Sequence, residues 1–336
     1  MQDGSTHDGA LGPGADEPLS FALGCVRSGT TMLRAMLDSH PELAVPPESY
    51  FVTPALHRSS RYGSRDGLDL DALLADIGAD PSFGDWHLEP AELEPLRADP
   101  PPATVPEAVT RLYRCYARAH GKPRAADRTP SHVLEVDLLA RSFPMSPFVH
   151  IVRDGRDVAP SVLEMDFGPD RFANAVLFWQ DRVTRARAAG RRLGQDRWLE
   201  IRYEDLVADP ERVLGRVCTF LRLPFDPAML EYHERAGELI GGLRHTGHVQ
   251  GVRRPPTLGV RDWRTTMPTR QVQLFEALAG DLLDELGYER SGFPTTTFAR
   301  AEAAAWKAAR VAELRGRTLR TRFVRKLRPG PAAAGV

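Results

Sequence analysis

The sequence predicts an α/β fold: a P-loop-type, mainly parallel β-sheet flanked by helices on both faces, built as one domain over residues 20–290. Three observations predict it. Short apolar runs alternate along the chain with longer segments of helical periodicity. The first such run passes through a glycine loop straight into a helix, Gly24–Leu37, "GCVRSGTTMLRAML". A later run, Pro147–Asp154, "PFVHIVRD", is apolar and β-rich and opens onto a charged turn.

The elements follow in order. Ser20–Val26, "SFALGCV", is an apolar run ending at glycines and reads as a buried strand. Met32, Leu33, Met36 and Leu37 recur at helical spacing until Pro41 stops the helix. A second strand is expected at Ala44–Val45, leading into "PPESYF". Residues 59–102 are rich in Gly, Pro and Asp and read as an irregular insertion over one face, with a helix around Leu68–Ile77. Thr104–His120 is an amphipathic helix capped by Thr104. "RAADRTP" gives a short strand and polar turn, and Ser131–Arg141 a helix. A helix follows the Pro147–Asp154 strand from about Asp157, and Asp170–Ala189 forms a long one. "RWLEIRYED" reads as strand and turn, and Pro210–Leu221 as a helix with Pro in its first turn. Thr269–Leu286 is a helix closed by Gly287.

Composition narrows the function. A hydrophobic content of 42% and a net charge of −1 over 336 residues suit a globular protein and argue against a nucleic-acid binder. No apolar run reaches the ~18 residues of a membrane span, and no signal peptide is read at the N-terminus. Cys25, Cys115 and Cys218 are too few and too scattered for a disulfide framework or a metal knuckle, so a reducing, cytoplasmic setting is expected. Residues 1–19 are Gly-rich and expected to be disordered. Residues 291–336 form a basic, Ala/Arg-rich extension of helical propensity, read as a solvated helix, with peripheral contact to an anionic membrane as the alternative. Only Lys122, Lys307 and Lys326 are lysines, so cationic roles fall to arginine.

The glycine loop has the G-x-x-x-x-G frame of a phosphate cradle but lacks the lysine that a nucleoside triphosphatase places after the second Gly. Thr30 and Thr31 stand there instead, and the only cation, Arg27, lies within the loop. Backbone N–H groups and a helix N-terminus bind an anion without that lysine. Such a loop suits a nucleotide with a diphosphate-like 5′ arm and no metal. Arg153, at a strand end, and Ser161, within the next helix, could clamp a second, single phosphate.

"VRSGTTMLRAMLDSHPEL…PPESYF", "DRTP", "FVHIVRDGRDVAPS" and "RYEDLVADP", in this order, resemble the sulfotransferases that use 3′-phosphoadenosine 5′-phosphosulfate (PAPS). The likeness is to their bacterial carbohydrate and small-molecule branch and to the tyrosylprotein sulfotransferases. It implies a sulfotransferase in which Arg27, Ser28, Gly29, Thr30 and Thr31 hold the 5′-phosphosulfate, and Arg153 and Ser161 the 3′-phosphate. It implies that Glu48 takes the proton of the acceptor hydroxyl. Arg128 stands where relatives carry the Lys of "DKTP", which stabilises the leaving phosphate; Arg supplies charge there but no transferable proton. Tyr203 near the adenine, and Arg261 in the basic stretch before "WR", are further cofactor contacts it implies. The sulfuryl group then passes in line to the hydroxyl of a small molecule, carbohydrate or glycolipid, without a metal.

Two other readings stay open on the residues. One is a P-loop kinase or nucleoside triphosphatase with an eroded motif; the other is a non-catalytic nucleotide-binding module. His245 and His248 lack a third ligand and read as a loop pair rather than a metal site. Asp154, Arg156 and Asp157 read as local ion pairs and caps.

Overall fold

A computed structural model describes residues 17–64, 67–235 and 262–327, with side chains placed as far as 312. The chain divides into two compact units, Met1–Arg153 with Asp181–Val260 and Asp154–Gln180 with Arg261–Val336. The division falls immediately after Arg153, inside the segment that the sequence reads as one domain.

The first unit is built on a five-stranded sheet of β1 (Ser20–Gly24), β2 (Leu43–Ala44), β5 (Arg124–Asp127), β6 (Phe148–Val152) and β7 (Trp198–Arg202), in the order β2-β5-β1-β6-β7. All its pairings are parallel. A two-stranded hairpin, β3 (Gly63–Ser64) with β4 (Gly67–Leu68), stands apart in the insertion. Every residue of β1, β5 and β6 is buried, because helices cover both faces. Alternate strand residues feed the two cores. Phe21, Leu23, Ala125 and Phe148 enter one; Ala22, Ala126, Val149 and Ile151 enter the other. The first core is closed by the helix Val105–Ala119, whose Val105, Ala108, Val109, Leu112 and Tyr116 share one stripe. Its cap is as the sequence predicts: Thr104 accepts from the Glu107 N–H. The second core is closed by the helices Thr30–Asp38 and Pro210–Leu221.

Three local expectations change. The insertion does more than cover a face: Tyr62, Leu73, Ile77, Trp86 and Leu96 are buried in the first core, so its polar composition hides a spaced set of anchors. The helix expected over 131–141 breaks into a 3-10 turn, Pro130–Leu134, and an α-helix, Val136–Ser142, with Glu135 between them outside helical geometry. His132 in that turn is drawn to Asp127. The turn expected after β7 is a helix, Tyr203–Ala208, with Glu204 and Asp205 in its first turn, where a helix N-terminus favours acids.

The second unit is helical, with Gly155–Leu163, the start of Phe172–Leu193, Thr269–Glu285 and Thr297–Leu327. Trp179 packs on Phe275 with ring centroids 5.5 Å apart, and Gly155 lies so close that a Cβ there would sit 2.5 Å from both rings.

Candidate active site

In the sheet, β1 lies between β5 and β6 while β2 flanks β5 on the far side, so the chain direction of travel switches at β1. A crevice at the carboxyl ends of such strands is where open α/β sheets bind ligands. The candidate residues of the first unit all follow those ends: 27–31 after β1, Glu48 after β2, Arg128 after β5, Arg153 after β6 and Tyr203 after β7.

The loop after β1 is tightly curled. Arg27 (φ 70°) and Gly29 (φ 88°) both adopt the left-handed conformation. For Arg27 this is a strained geometry of the kind found at ligand clamps. The Ser28 N–H donates to the Cys25 carbonyl at 3.1 Å. Gly24 must lack a side chain, since a Cβ would meet Ile151 at 2.7 Å and Thr30 at 2.8 Å. Ser28 is fully buried, and its Oγ has no partner among the described residues. Burial pushes the Cys25 thiol up to about 12, so it stays protonated and inert.

Arg128 organises the loop from the side. It is 5% exposed. Its Nη2 donates to Thr30 Oγ1 at 2.9 Å and Thr31 Oγ1 at 2.6 Å, and its Nη1 donates to Glu48 Oε1. Its Nε is buried without a partner among the described residues. Glu48 keeps 26% of its side chain exposed. The approach to Glu48 is pinned: Arg34 Nε donates to the carbonyls of Val45 and Pro46 at 3.0 Å each, and the Val45 N–H donates to Asp38 Oδ1 at 2.7 Å.

Arg153 and Tyr203 form the other wall. The Arg153 guanidinium stacks over the Tyr203 ring, 4.3 Å from its centroid, and Nη1 reaches the Arg27 carbonyl at 3.5 Å. The same ring lies against the loop, where a Cβ on Gly29 would be 2.4 Å from it. Tyr203 therefore touches the loop glycine and the strand-end arginine together.

Beneath Glu48 and Arg128 lies a buried polar cluster centred on Asp127. Ser49 Oγ and Tyr113 OH each donate to Asp127 Oδ2 at 2.5 Å, Thr129 Oγ1 at 3.0 Å, and His132 Nδ1 to Oδ1 at 2.7 Å. Burial alone would raise the Asp127 carboxyl, but the His132 charge and the hydrogen bonds from His132, Ser49 and Tyr113 outweigh it, and the net shift is downward. Tyr113 moves the other way, held well above its ordinary range by burial and by the neighbouring Asp127.

In the second unit, Ser161 is buried in the helix Gly155–Leu163. Asp154 caps that helix at the Arg156 N–H, 2.9 Å. Arg156 is fully buried, bonded to Asp154 Oδ2 and Glu276 Oε1 at 2.8 Å each, with Trp263 3.8 Å from its guanidinium carbon. Asp157 accepts from the Trp263 N–H at 2.8 Å. The Asp154 cap and its pair with Arg156 are local, as the sequence predicts, but Arg156 and Asp157 also bond to distant parts of this unit, Glu276 and Trp263. Arg261, His245 and His248 lie outside the described residues. Among the described residues no group of three or more His, Cys, Asp or Glu could hold a metal, and no helix is long and apolar enough to cross a membrane.

The chain matches the family model described as "Sulfotransferase family" over residues 18–227, which spans every candidate residue except Arg261. The chain belongs to the sulfotransferase family. Among its relatives is protein-tyrosine sulfotransferase 1 of Danio rerio, 27% identical over 83% of this chain and 74% of that protein. Nodulation protein NoeE of Sinorhizobium fredii is 27% identical over 81% of this chain and 66% of its own length. Among solved structures, the sulfotransferase domain from the Synechococcus PCC 7002 olefin synthase superposes with a TM-score of 0.59 at 24% identity, covering 83% of this chain and 96% of that one. It shares the fold.

For this sulfotransferase the sequence motifs mark the strand ends well and the groups behind them poorly. Asp127, Ser49, Thr129, Tyr113 and His132 went unread, although Ser49 adjoins Glu48, and Asp127 and Thr129 flank Arg128 inside the "DRTP" motif. Tyr50 went unread too. It is 47% exposed, and its phenol is raised by partial burial and then by the nearby Glu48 charge.

Proposed function

We propose that this enzyme moves the sulfuryl group of PAPS to a hydroxyl of a small molecule, carbohydrate or glycolipid by in-line displacement, with Glu48 as the base. The observation that carries the reading is Arg128, which touches Glu48 with one nitrogen and both cradle hydroxyls, Thr30 and Thr31, with the other.

The residues fit a sulfonated nucleotide. Ser28 Oγ and Arg128 Nε are buried donors at the cradle without partners among the described residues, a costly state that an anion there relieves. PAPS, when bound, supplies the sulfuryl group and a phosphate as leaving group. The loop 27–31 and the N-terminus of the helix Thr30–Asp38 hold its 5′ arm through backbone N–H groups. Arg27 and Arg128 stabilise charge that builds on the leaving oxygen, a preorganised electrostatic contribution. Arg128 has no proton to give near neutrality, so this enzyme expels the bisphosphate as an anion, steadied by charge and hydrogen bonds. Arg153, braced by Tyr203, takes the 3′-phosphate, and Ser161 keeps the phosphate-binding role that the resemblance implies for it. Glu48, with a quarter of its side chain open, receives the acceptor's proton. Tyr50, exposed two residues on, offers a flat ring to the acceptor.

Two measurements test this. Thermal shift compares adenosine 3′,5′-bisphosphate with ATP plus Mg²⁺; ligand at 100-fold its dissociation constant adds about 2.7 kcal/mol of stability. Mass-detected sulfate transfer from PAPS to a panel of sugars, phenols and a tyrosine peptide then identifies the acceptor. Stabilisation by ATP–Mg²⁺ alone would restore the kinase reading. Bisphosphate binding without transfer to any hydroxyl would favour the binding module.

A further inference from the structure

The β2–β5 pairing is short. It comprises Leu43 with Arg124 and Ala44 with Ala125. Backbone pairing therefore ends before the residues that carry the chemistry: Glu48 lies four positions beyond β2, and Arg128 one position beyond β5. A peptide that far past its ladder is free to drift unless something else fixes it. What joins the two segments beyond the sheet is a set of side chains. The Ser49 N–H donates to Thr129 Oγ1 at 2.8 Å, and Ser49 Oγ and Thr129 Oγ1 both donate to Asp127 Oδ2. Tyr113, from the helix Val105–Ala119, shares its one O–H proton between Asp127 Oδ2 and Ser49 Oγ, the latter at 2.7 Å. His132 holds the other carboxylate oxygen.

We infer that Asp127 is the positioning residue of the Glu48–Arg128 pair: its buried carboxylate continues the β2–β5 register past the end of the ladder and sets the carboxylate against the guanidinium. The inference rests on the roles proposed above for Glu48 and Arg128. The chemistry explains why the group is a carboxylate. Its two oxygens offer about four acceptor sites and no donor, and the surrounding groups arrive as donors. The register is thus held from both sides at once, through the neighbour of Glu48 (Ser49) and the neighbour of Arg128 (Thr129). Asp127 is 1% exposed, and Ser49, Thr129 and His132 are fully buried, so water does not compete for these bonds. Asp127 touches none of the proposed reacting groups and acts through the two that do.

A cluster that merely stabilises the fold would lower the melting temperature and leave the folded enzyme's turnover alone. Ser49→Ala separates the cases, because it removes one hydroxyl and keeps the backbone N–H bond to Thr129 Oγ1. Transfer from PAPS to 4-nitrophenol is the probe. Ser49→Ala should lower kcat about ten- to a hundredfold, the scale of a small misplacement of catalytic groups. The donor KM should stay within about threefold. In a Glu48→Gln background the same change should add almost nothing, since the group it positions is gone. Tyr113→Phe should behave as Ser49→Ala, only more weakly. Wild-type kcat in Ser49→Ala, or losses that multiply fully with Glu48→Gln, would overturn the inference. A crystal structure of Ser49→Ala with adenosine 3′,5′-bisphosphate decides independently of turnover. The Glu48–Arg128 contact should be open while the loop 27–31 is unchanged; an intact contact overturns the inference. Full turnover of Glu48→Gln would instead remove Glu48 as base, leaving the crystallographic result to judge the positioning.

Discussion

Arg128 donates to Glu48 across the carboxyl ends of two neighbouring parallel strands, β5 and β2. The pair is asymmetric. The arginine is buried while the glutamate is partly open, so the cation is held by the protein and the carboxylate faces outward. This asymmetry supports the proposed role of Glu48 as a base oriented by a fixed charge. Glu48→Gln keeps a hydrogen-bond acceptor for Arg128 and removes the proton acceptor. Its kcat should fall about 10²–10⁴-fold, the usual contribution of a general base. Bisphosphate affinity, measured by calorimetry, should stay near wild type.

Arg128 also gives a pH prediction. A guanidinium is a far stronger base than an amine. Arg128→Lys introduces an amine that does titrate. It also lacks the fork that reaches Glu48 from one nitrogen and Thr30 and Thr31 from the other. The variant should lose about tenfold or more in kcat and gain a falling alkaline limb, since each lost charge-assisted bond is worth about 1.5–3 kcal/mol. A kcat profile that stays flat on the alkaline side would show that the substituted amine plays no part in the step.

The same contacts show what a sequence can and cannot tell. Strand ends and loop residues were legible because glycine spacing, apolar runs and the charged residues that end them are local signals. Gly24–Thr31 and the strand before Arg153 are such cases. Asp127 was not legible. Its partners come from positions 49, 113, 129 and 132, and only folding brings them together. The burial of Trp86 and Leu96 was hidden for a related reason, since single apolar anchors in a Gly/Pro-rich segment leave no periodicity. The helix Tyr203–Ala208 was read as a turn because six residues carry too little pattern to separate the two.

Tyr203 and Gly29 are in contact, and this predicts a donor-binding defect without unfolding. Gly29→Ala would force a Cβ into the tyrosine ring at 2.4 Å and impose a left-handed φ of 88° on alanine. The loop must deform, and bisphosphate affinity should fall at least about tenfold, as expected when about 1.4 kcal/mol of binding is lost. Tyr203→Leu tests the other side. It removes the stacking under Arg153, worth about 0.5–2 kcal/mol, and should weaken the bisphosphate less than Arg153→Ala does. Titration calorimetry on the three variants orders them.

Tyr50 predicts a change confined to the acceptor. Its ring is exposed, while its backbone N–H is anchored on Ser82 Oγ at 3.2 Å, so Tyr50→Ala should leave the loop in place. The acceptor KM should rise several-fold, on the scale of one lost aromatic contact of about 0.5–1.5 kcal/mol, with the donor KM unchanged. An equal rise in both would place Tyr50 outside the acceptor's reach.

Asp127 and Tyr113 set opposite edges of a stability window. The Asp127 carboxyl is depressed below its ordinary 3.8 in the folded chain. Its contribution is therefore complete above about 3.8 and is lost as pH falls from there through the folded value, because the unfolded chain then binds a proton that the folded chain refuses. Tyr113 is raised above its ordinary 10.0, first by burial and then by Asp127. Its contribution is complete below about 10 and is lost as pH rises beyond it, where the unfolded phenol releases a proton that the folded one keeps. Tyr113→Phe deletes the alkaline component and, by removing one of the hydrogen bonds that lower Asp127, weakens the acid one without abolishing it, since His132 and Ser49 remain. Urea unfolding of the wild type should show stability declining below about pH 4 and again above about pH 10, with the alkaline decline reduced in Tyr113→Phe. An undiminished alkaline decline in that variant would place its source elsewhere than the phenol bonded to Asp127.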